Sequence, residues 1–234
     1  MTRLLFWDID GTLLSTARAG VFALEEAARE VCGTTPDFSS LQTSGLTDAE
    51  VAALAIRESG GDPAPPTVTA FLSAYERHLP ERLHWRRGRV LPGVLEILED
   101  LSARPDVACL LLTGNTPAGA RAKLAHYGLD SFFAAGAFCT EGADRATIAR
   151  RALEVAEEEL RRPLDGDSVF VIGDTPHDVR CGQTIGARTI AVASGTYSRE
   201  QLEASDPWRV LDALPDPESF AELIELPSRA SPRA

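Results

Sequence analysis

Short unbroken apolar runs alternate with longer mixed stretches over most of the chain. Residues 4–7, 107–112 and 169–172 are continuous hydrophobic runs, and Thr189 to Val192 reads the same way, as expected of strands buried on both faces of a parallel sheet. Residues 135–139 are a shorter, weaker candidate. Between these runs, residues 94–103, 118–127, 145–160 and 178–185 read as helices. Strand followed by helix, repeated, predicts a doubly wound, mainly parallel α/β sheet of Rossmann-like type.

Residues 15–89 break this rhythm. Val21, Leu24, Ala28 and Val31 mark one amphipathic helix, and Val51, Leu54, Ala55 and Glu58 trace a second. Val68, Phe71, Leu72, Tyr75 and Leu79 give a third, with Pro63, Pro65 and Pro66 between the last two. No strand is expected in this segment. It reads as an all-helical cap inserted after the first strand, with the α/β core formed by residues 1–14 and 90–226. The final residues, 227–234, read as a disordered tail.

The 234 residues suffice for one core plus a small insert. The formal net charge of −12 argues against nucleic acid or an anionic membrane surface as the main partner. It leaves room for a small anionic substrate in a locally positive pocket. No apolar run reaches the roughly 18–20 residues of a membrane span, and the first run is too short for a secretory signal. Cys32, Cys109, Cys139 and Cys181 are widely spaced, with no C-x-x-C pair for zinc. A cytoplasmic location is the expectation. The oligomeric state is left open.

Three of the predicted strands run into polar clusters. These are Asp8-Ile9-Asp10-Gly11-Thr12, Thr113-Gly114-Asn115 and Gly173-Asp174-Thr175-Pro176-His177-Asp178. Ligands of open parallel sheets bind beyond the carboxyl ends of the strands, so the clusters should converge although the first and third lie more than 160 residues apart. Packed carboxylates repel unless a cation compensates them, and all-oxygen ligation with few protein ligands suits Mg²⁺. Asp8 and Asp10 alternate across the strand end. One can face metal and substrate while the other serves as a proton donor. Thr116-Pro117 and Thr175-Pro176 each place an N-cap before a proline suited to a first helical turn. Helix N-termini aimed at the same crevice favour a phosphate.

Taken together, the D-x-D-G-T-L-L start, the T-G-N and the G-D-T-x-x-D resemble the haloacid dehalogenase-like hydrolases. The inserted helices resemble those of the phosphoglycolate-phosphatase-like branch. The resemblance covers about residues 4–196 and implies an Mg²⁺-dependent phosphatase acting on a small phosphorylated metabolite. It implies that Asp8 is the nucleophile, forming an aspartyl-phosphate, and that Asp10 is the general acid and base. Asp8, the backbone carbonyl of Asp10, Asp174 and Asp178 would hold the metal. Thr113 and the amides of Gly114 and Asn115 would bind phosphoryl oxygens. The loop at Gly45-Leu46 would approach the substrate from the cap.

One position departs from the family pattern. A lysine is usual before the last acidic motif, where this chain reads Gly142-Ala143-Asp144-Arg145. Arg145 is the preferred substitute, although its planar fork differs from an ammonium. Lys123 is the alternative, read as a surface-like position in mid-helix. Thr47 and Glu50 read as a capping box. His177 reads as an exposed first-turn residue, and Arg86, Arg87 and Arg89 as a solvated hinge.

Other readings of the same residues are weaker. The D-x-D-G string lacks the further acidic ligand of a calcium loop. Residues 114–121 have P-loop spacing without its Lys and Ser/Thr, and no G-x-G-x-x-G follows the first strand. A phosphomutase of the same architecture, or a non-catalytic binding module on the same fold, remains as an alternative function. A phosphonate hydrolase needs a cap lysine, and residues 15–89 contain none.

Overall fold

The computed structural model describes residues 2–85, 87–140, 143–161, 164 and 166–227. Arg86, Gly142 and, apart from Pro227, the expected tail lie outside the described residues. Six parallel strands form the main sheet: β1 (Arg3–Trp7), β4 (Val107–Leu112), β5 (Gly136–Ala137), β6 (Val169–Gly173), β7 (Arg188–Val192) and β8 (Arg209–Leu211). Their spatial order is β5-β4-β1-β6-β7-β8. In order along the chain this is 3-2-1-4-5-6, a doubly wound Rossmann-type sheet whose connections reverse direction between β1 and β6.

Side-chain alternation along β1 sorts the core into two layers. Leu5 and Trp7 pack with α4 (Val94–Ser102), α5 (Pro117–Tyr127) and α9 (Pro217–Leu223). Leu4 and Phe6 face the opposite layer, where α6 (Arg145–Leu160) and α7 (Pro176–Thr184) contribute Ile148, Ala149, Ala152 and Cys181. Both faces of β1 are therefore buried, which accounts for its unbroken apolar run.

Between β1 and α4 the chain forms α1 (Ala19–Cys32), α2 (Asp48–Glu58) and α3 (Pro65–Leu83), packed around a separate hydrophobic cluster. Ala19, Ala23 and Ala27 recur every fourth residue along α1, and this cluster also buries Phe71, Tyr75 and Leu79 of α3. Small side chains on one helix stripe admit large ones from the other. The expectation of no strand in this segment needs one correction. Leu14–Ser15 (β2) pairs antiparallel with Arg89–Val90 (β3), tying the two ends of the helical segment together. Two residues per strand leave no periodicity to read. Residues 135–139 likewise shorten to Gly136–Ala137, and β8, α8 (Arg199–Glu203) and α9 follow the last strand expected from sequence.

Candidate active site

β1 and β6 are neighbours, with Trp7 opposite Ile172. Asp8 follows β1 and Asp174 follows β6, so both stand where the sheet order reverses. The start of α7 adds Asp178. One carboxylate oxygen from each of Asp8, Asp174 and Asp178 falls within 4.8 Å of the other two, and all three residues are buried. The backbone closes tightly around them. Gly11 has φ +83°, and a Cβ there would stand 2.4 Å from Asp174 Oδ2. Thr12 Oγ1 donates to Asp174 Oδ1 at 3.2 Å.

Burial, then repulsion from Asp178, pushes the Asp8 carboxyl up to about 7, while the Arg145 guanidinium and the Thr113 hydroxyl pull the other way. Burial and the neighbouring carboxylates likewise hold Asp174 well above the carboxylate range. Two buried carboxyls held back from ionising, with a third carboxylate beside them, form a group that a bound cation could compensate. The donor set is all oxygen, so the residues fit Mg²⁺.

Asp178 is held on every side. Its Oδ2 accepts from the Thr175 amide at 3.0 Å and from the Thr175 hydroxyl at 2.7 Å, completing a capping box at the start of α7. Its Oδ1 accepts from Arg145 Nη1 at 3.3 Å. Arg145 also donates through Nε to the Gly45 carbonyl at 3.0 Å. The preferred substitute for the missing lysine therefore lies inside the crevice, between Asp178 of the carboxylate cluster and the loop that precedes α2.

Lys123 overturns its surface-like reading. It is 4% exposed, and its Nζ donates to Asp10 Oδ2 and Asn115 Oδ1, both at 2.5 Å. Asn115 Nδ2 donates to the same Asp10 oxygen at 3.0 Å and to Thr113 Oγ1 at 2.8 Å. The Asp10 side chain is thus held apart from the three-carboxylate cluster by an ammonium and an amide. Lysine is seldom buried unless paired, which is why residue type alone favoured a surface position. A stronger signal stood in the composition: every other basic side chain among the 23 Lys and Arg is arginine.

The helical segment closes over this floor. Thr47 and Glu50 form the expected capping box at the start of α2, with Thr47 N donating to Glu50 Oε2 at 2.8 Å. Asp48 makes two ties to the loop after β4. Its amide donates to the Gly114 carbonyl at 2.8 Å, and its Oδ2 accepts from the Thr116 amide at 2.7 Å. The α5 N-terminus is therefore partly occupied by a protein carboxylate and not wholly open to phosphate. Sequence reasoning passed over Asp48 because it sits inside a capping-box string that explained its neighbours.

Gly45 has φ +80°, and a Cβ there would lie 2.4 Å from His177 Cδ2. His177 is half-buried against this loop and not exposed as expected. Arg87 and Arg89 are exposed, as a solvated hinge requires. A cavity of about 440 Å³ remains between the floor and the helices, reaching Asp8, Asp10, Gly45, Gly114, Asn115, Lys123 and Arg145. Val21, Leu24, Val51 and Tyr75 supply its far wall.

A Rossmann-type sheet with acidic clusters at the strand ends and a helical segment after the first strand defines a class of hydrolases. The chain belongs to the haloacid dehalogenase-like hydrolase family, whose sequence model matches residues 5–183. It is 27% identical over 231 residues to the probable phosphatase IndB of Dickeya dadantii, covering 96% of this chain and 93% of that protein. Its fold is similar to that of CbbY from Rhodobacter sphaeroides, solved in complex with phosphate, at 21% identity and a TM-score of 0.73, covering 91% and 95% of the two chains. It is also similar to a predicted phosphoglycolate phosphatase from Haemophilus somnus, at 16% identity and a TM-score of 0.71, covering 96% and 97%.

Proposed function

We propose that the chain is an Mg²⁺-dependent phosphatase that hydrolyses a small phosphate monoester through an aspartyl-phosphate on Asp8. The observation that carries this reading is the division of the acids into two environments. Asp8, Asp174 and Asp178 converge on one point, while Asp10 is held beside them by Lys123 and Asn115. A cluster that served only to bind a cation would not need a separate, oriented fourth acid.

In the first half-reaction an Asp8 carboxylate oxygen attacks phosphorus and the bond to the leaving oxygen breaks, with Asp10 supplying the proton that oxygen needs. In the second, Asp10 takes a proton from water as its oxygen attacks phosphorus. The bond from phosphorus to Asp8 then breaks and orthophosphate leaves. Asp8, Asp174 and Asp178, with the backbone carbonyl of Asp10, would hold Mg²⁺, which neutralises the charge gathered at the phosphoryl oxygens. Thr113 and the amides of Gly114 and Asn115 orient the phosphoryl group, and Arg145 supports its charge. The 15–89 segment acts as a cap on the core of 1–14 and 90–226, excluding bulk water.

Asp8→Asn is nearly isosteric and removes the attacking oxygen. Phosphate release from an aryl phosphate and a metabolite panel is expected only with Mg²⁺ and Asp8 both present, with a loss of at least about 10⁴-fold in the variant, at or above the upper end of a general acid–base contribution of about 10²–10⁴. Turnover surviving in Asp8→Asn, or in excess chelator, would sink this mechanism.

A further inference from the structure

Lys123 is the only lysine in the chain. Burial works against its charge, yet Asp10, Tyr75 and Asp48 around it more than offset that, so the ammonium holds its proton. Its neighbours come from both halves of the molecule. Asp10 and Asn115 belong to the loops after β1 and β4. Tyr75 is 1% exposed on α3 with its hydroxyl lying against Lys123, and Asp48 begins α2. Burial also raises the Asp48 carboxyl to about 6, with Lys123 and the Thr116 amide pulling it back down.

An ammonium is a compact point charge with three donors and no fixed plane. The geometry here uses that property, since Nζ reaches a carboxylate and an amide oxygen together in a space walled by Tyr75. An arginine fork would need more room, and the chain uses arginine at every other basic position.

We propose that Lys123 is a positioning residue for Asp10: with Asn115 it holds Oδ2, so that Oδ1, the oxygen that carries the proton, is turned toward the leaving oxygen, and Asp48 and Tyr75 of the helical segment hold Lys123 in turn. The general acid is thereby assembled from both halves of the molecule. This rests on the reading of Asp10 as the proton donor.

Leaving-group dependence tests it. An alcohol leaves only if protonated, whereas dinitrophenolate leaves unaided, so a defect in proton donation falls on the first. Lys123→Met is expected to lose about 100-fold or more in kcat on glycerol phosphate but less than tenfold on dinitrophenyl phosphate, in line with a general-acid contribution of about 10²–10⁴. Lys123→Arg should recover part of the glycerol phosphate rate, and Tyr75→Phe should shift the ratio the same way, more weakly. Equal losses on both esters would overturn the proposal while hydrolysis still required Asp8.

The two variants that keep the buried charge carry the test if Lys123→Met does not fold. A second readout needs no turnover. Labelling lysine Nζ with ¹⁵N gives a single side-chain ammonium signal, which should move in both Asp10→Asn and Asp48→Asn. A signal indifferent to Asp10→Asn overturns the positioning role even if the enzyme proves inactive on every ester tried.

Discussion

Two cations serve different carboxylates in the crevice. Lys123 bonds the Asp10 side chain, which stands outside the three-carboxylate cluster, and Arg145 bonds Asp178, which stands inside it. On the proposed reading, Arg145 would oppose Mg²⁺ and favour phosphate at the same point. Arg145→Gln should tighten Mg²⁺ binding about tenfold and weaken inhibition by orthophosphate about tenfold or more, the scale of one charged hydrogen bond. Calorimetric titration of Mg²⁺ and the inhibition constant of orthophosphate would show the two moving in opposite directions. Movement together would mean that Arg145 is structural. At this scale the strand-end acids were legible because their spacing and residue types carry the chemistry. Lys123 was not, since a lone lysine in mid-helix looks like any solvated one. Its bond to Asp10, 113 residues away in sequence, is what reveals its place.

Elements deliver these residues with little freedom. β1 and β6 were legible as apolar runs because both faces are buried, and their neighbouring positions place Asp8 and Asp174 side by side. The β2–β3 ribbon and β8 escaped notice for a different reason. They are short, and β8 is a three-residue edge strand with Arg209 exposed, so neither carries a hydrophobic pattern. The loop before α2 was legible only through Gly45. Its carbonyl takes the Arg145 Nε hydrogen bond, and its Cα faces Thr175 and His177. Gly45→Ala combines a left-handed φ, costing about 1–2 kcal/mol, with a contact on the His177 ring. It should lower Tm by a few degrees and raise KM about tenfold, with a smaller change in kcat, because the loop backs away from Arg145 while the floor stays intact. Thermal melts and steady-state kinetics on one variant check both. An unchanged KM would detach this loop from substrate binding.

Across the whole molecule, the sheet reversal between β1 and β6 concentrates buried negative charge that folding alone does not neutralise. A carboxyl held above its unfolded value near 3.8 binds its proton more tightly when folded. Its contribution to stability is therefore largest at low pH and falls away as pH rises to the folded value. For Asp8 that window runs from 3.8 to about 7, and for Asp48 to about 6. His126 and His177, both lowered by burial, act in the opposite sense below about pH 6.5, their unfolded value. The informative comparison is therefore with and without Mg²⁺ at each pH. Metal competes with protons for Asp8 and Asp174, so the rise in Tm on adding Mg²⁺ should be small at pH 5 and grow steadily to pH 8. Asp8→Asn removes one of the repelling charges. It should melt higher than the unmodified chain at pH 8 in chelator, and should lose most of the Mg²⁺-induced rise. An Mg²⁺ effect that is flat with pH, or that persists in Asp8→Asn, would mean that the ion binds elsewhere and that the strand-end acids are balanced by Arg145 alone.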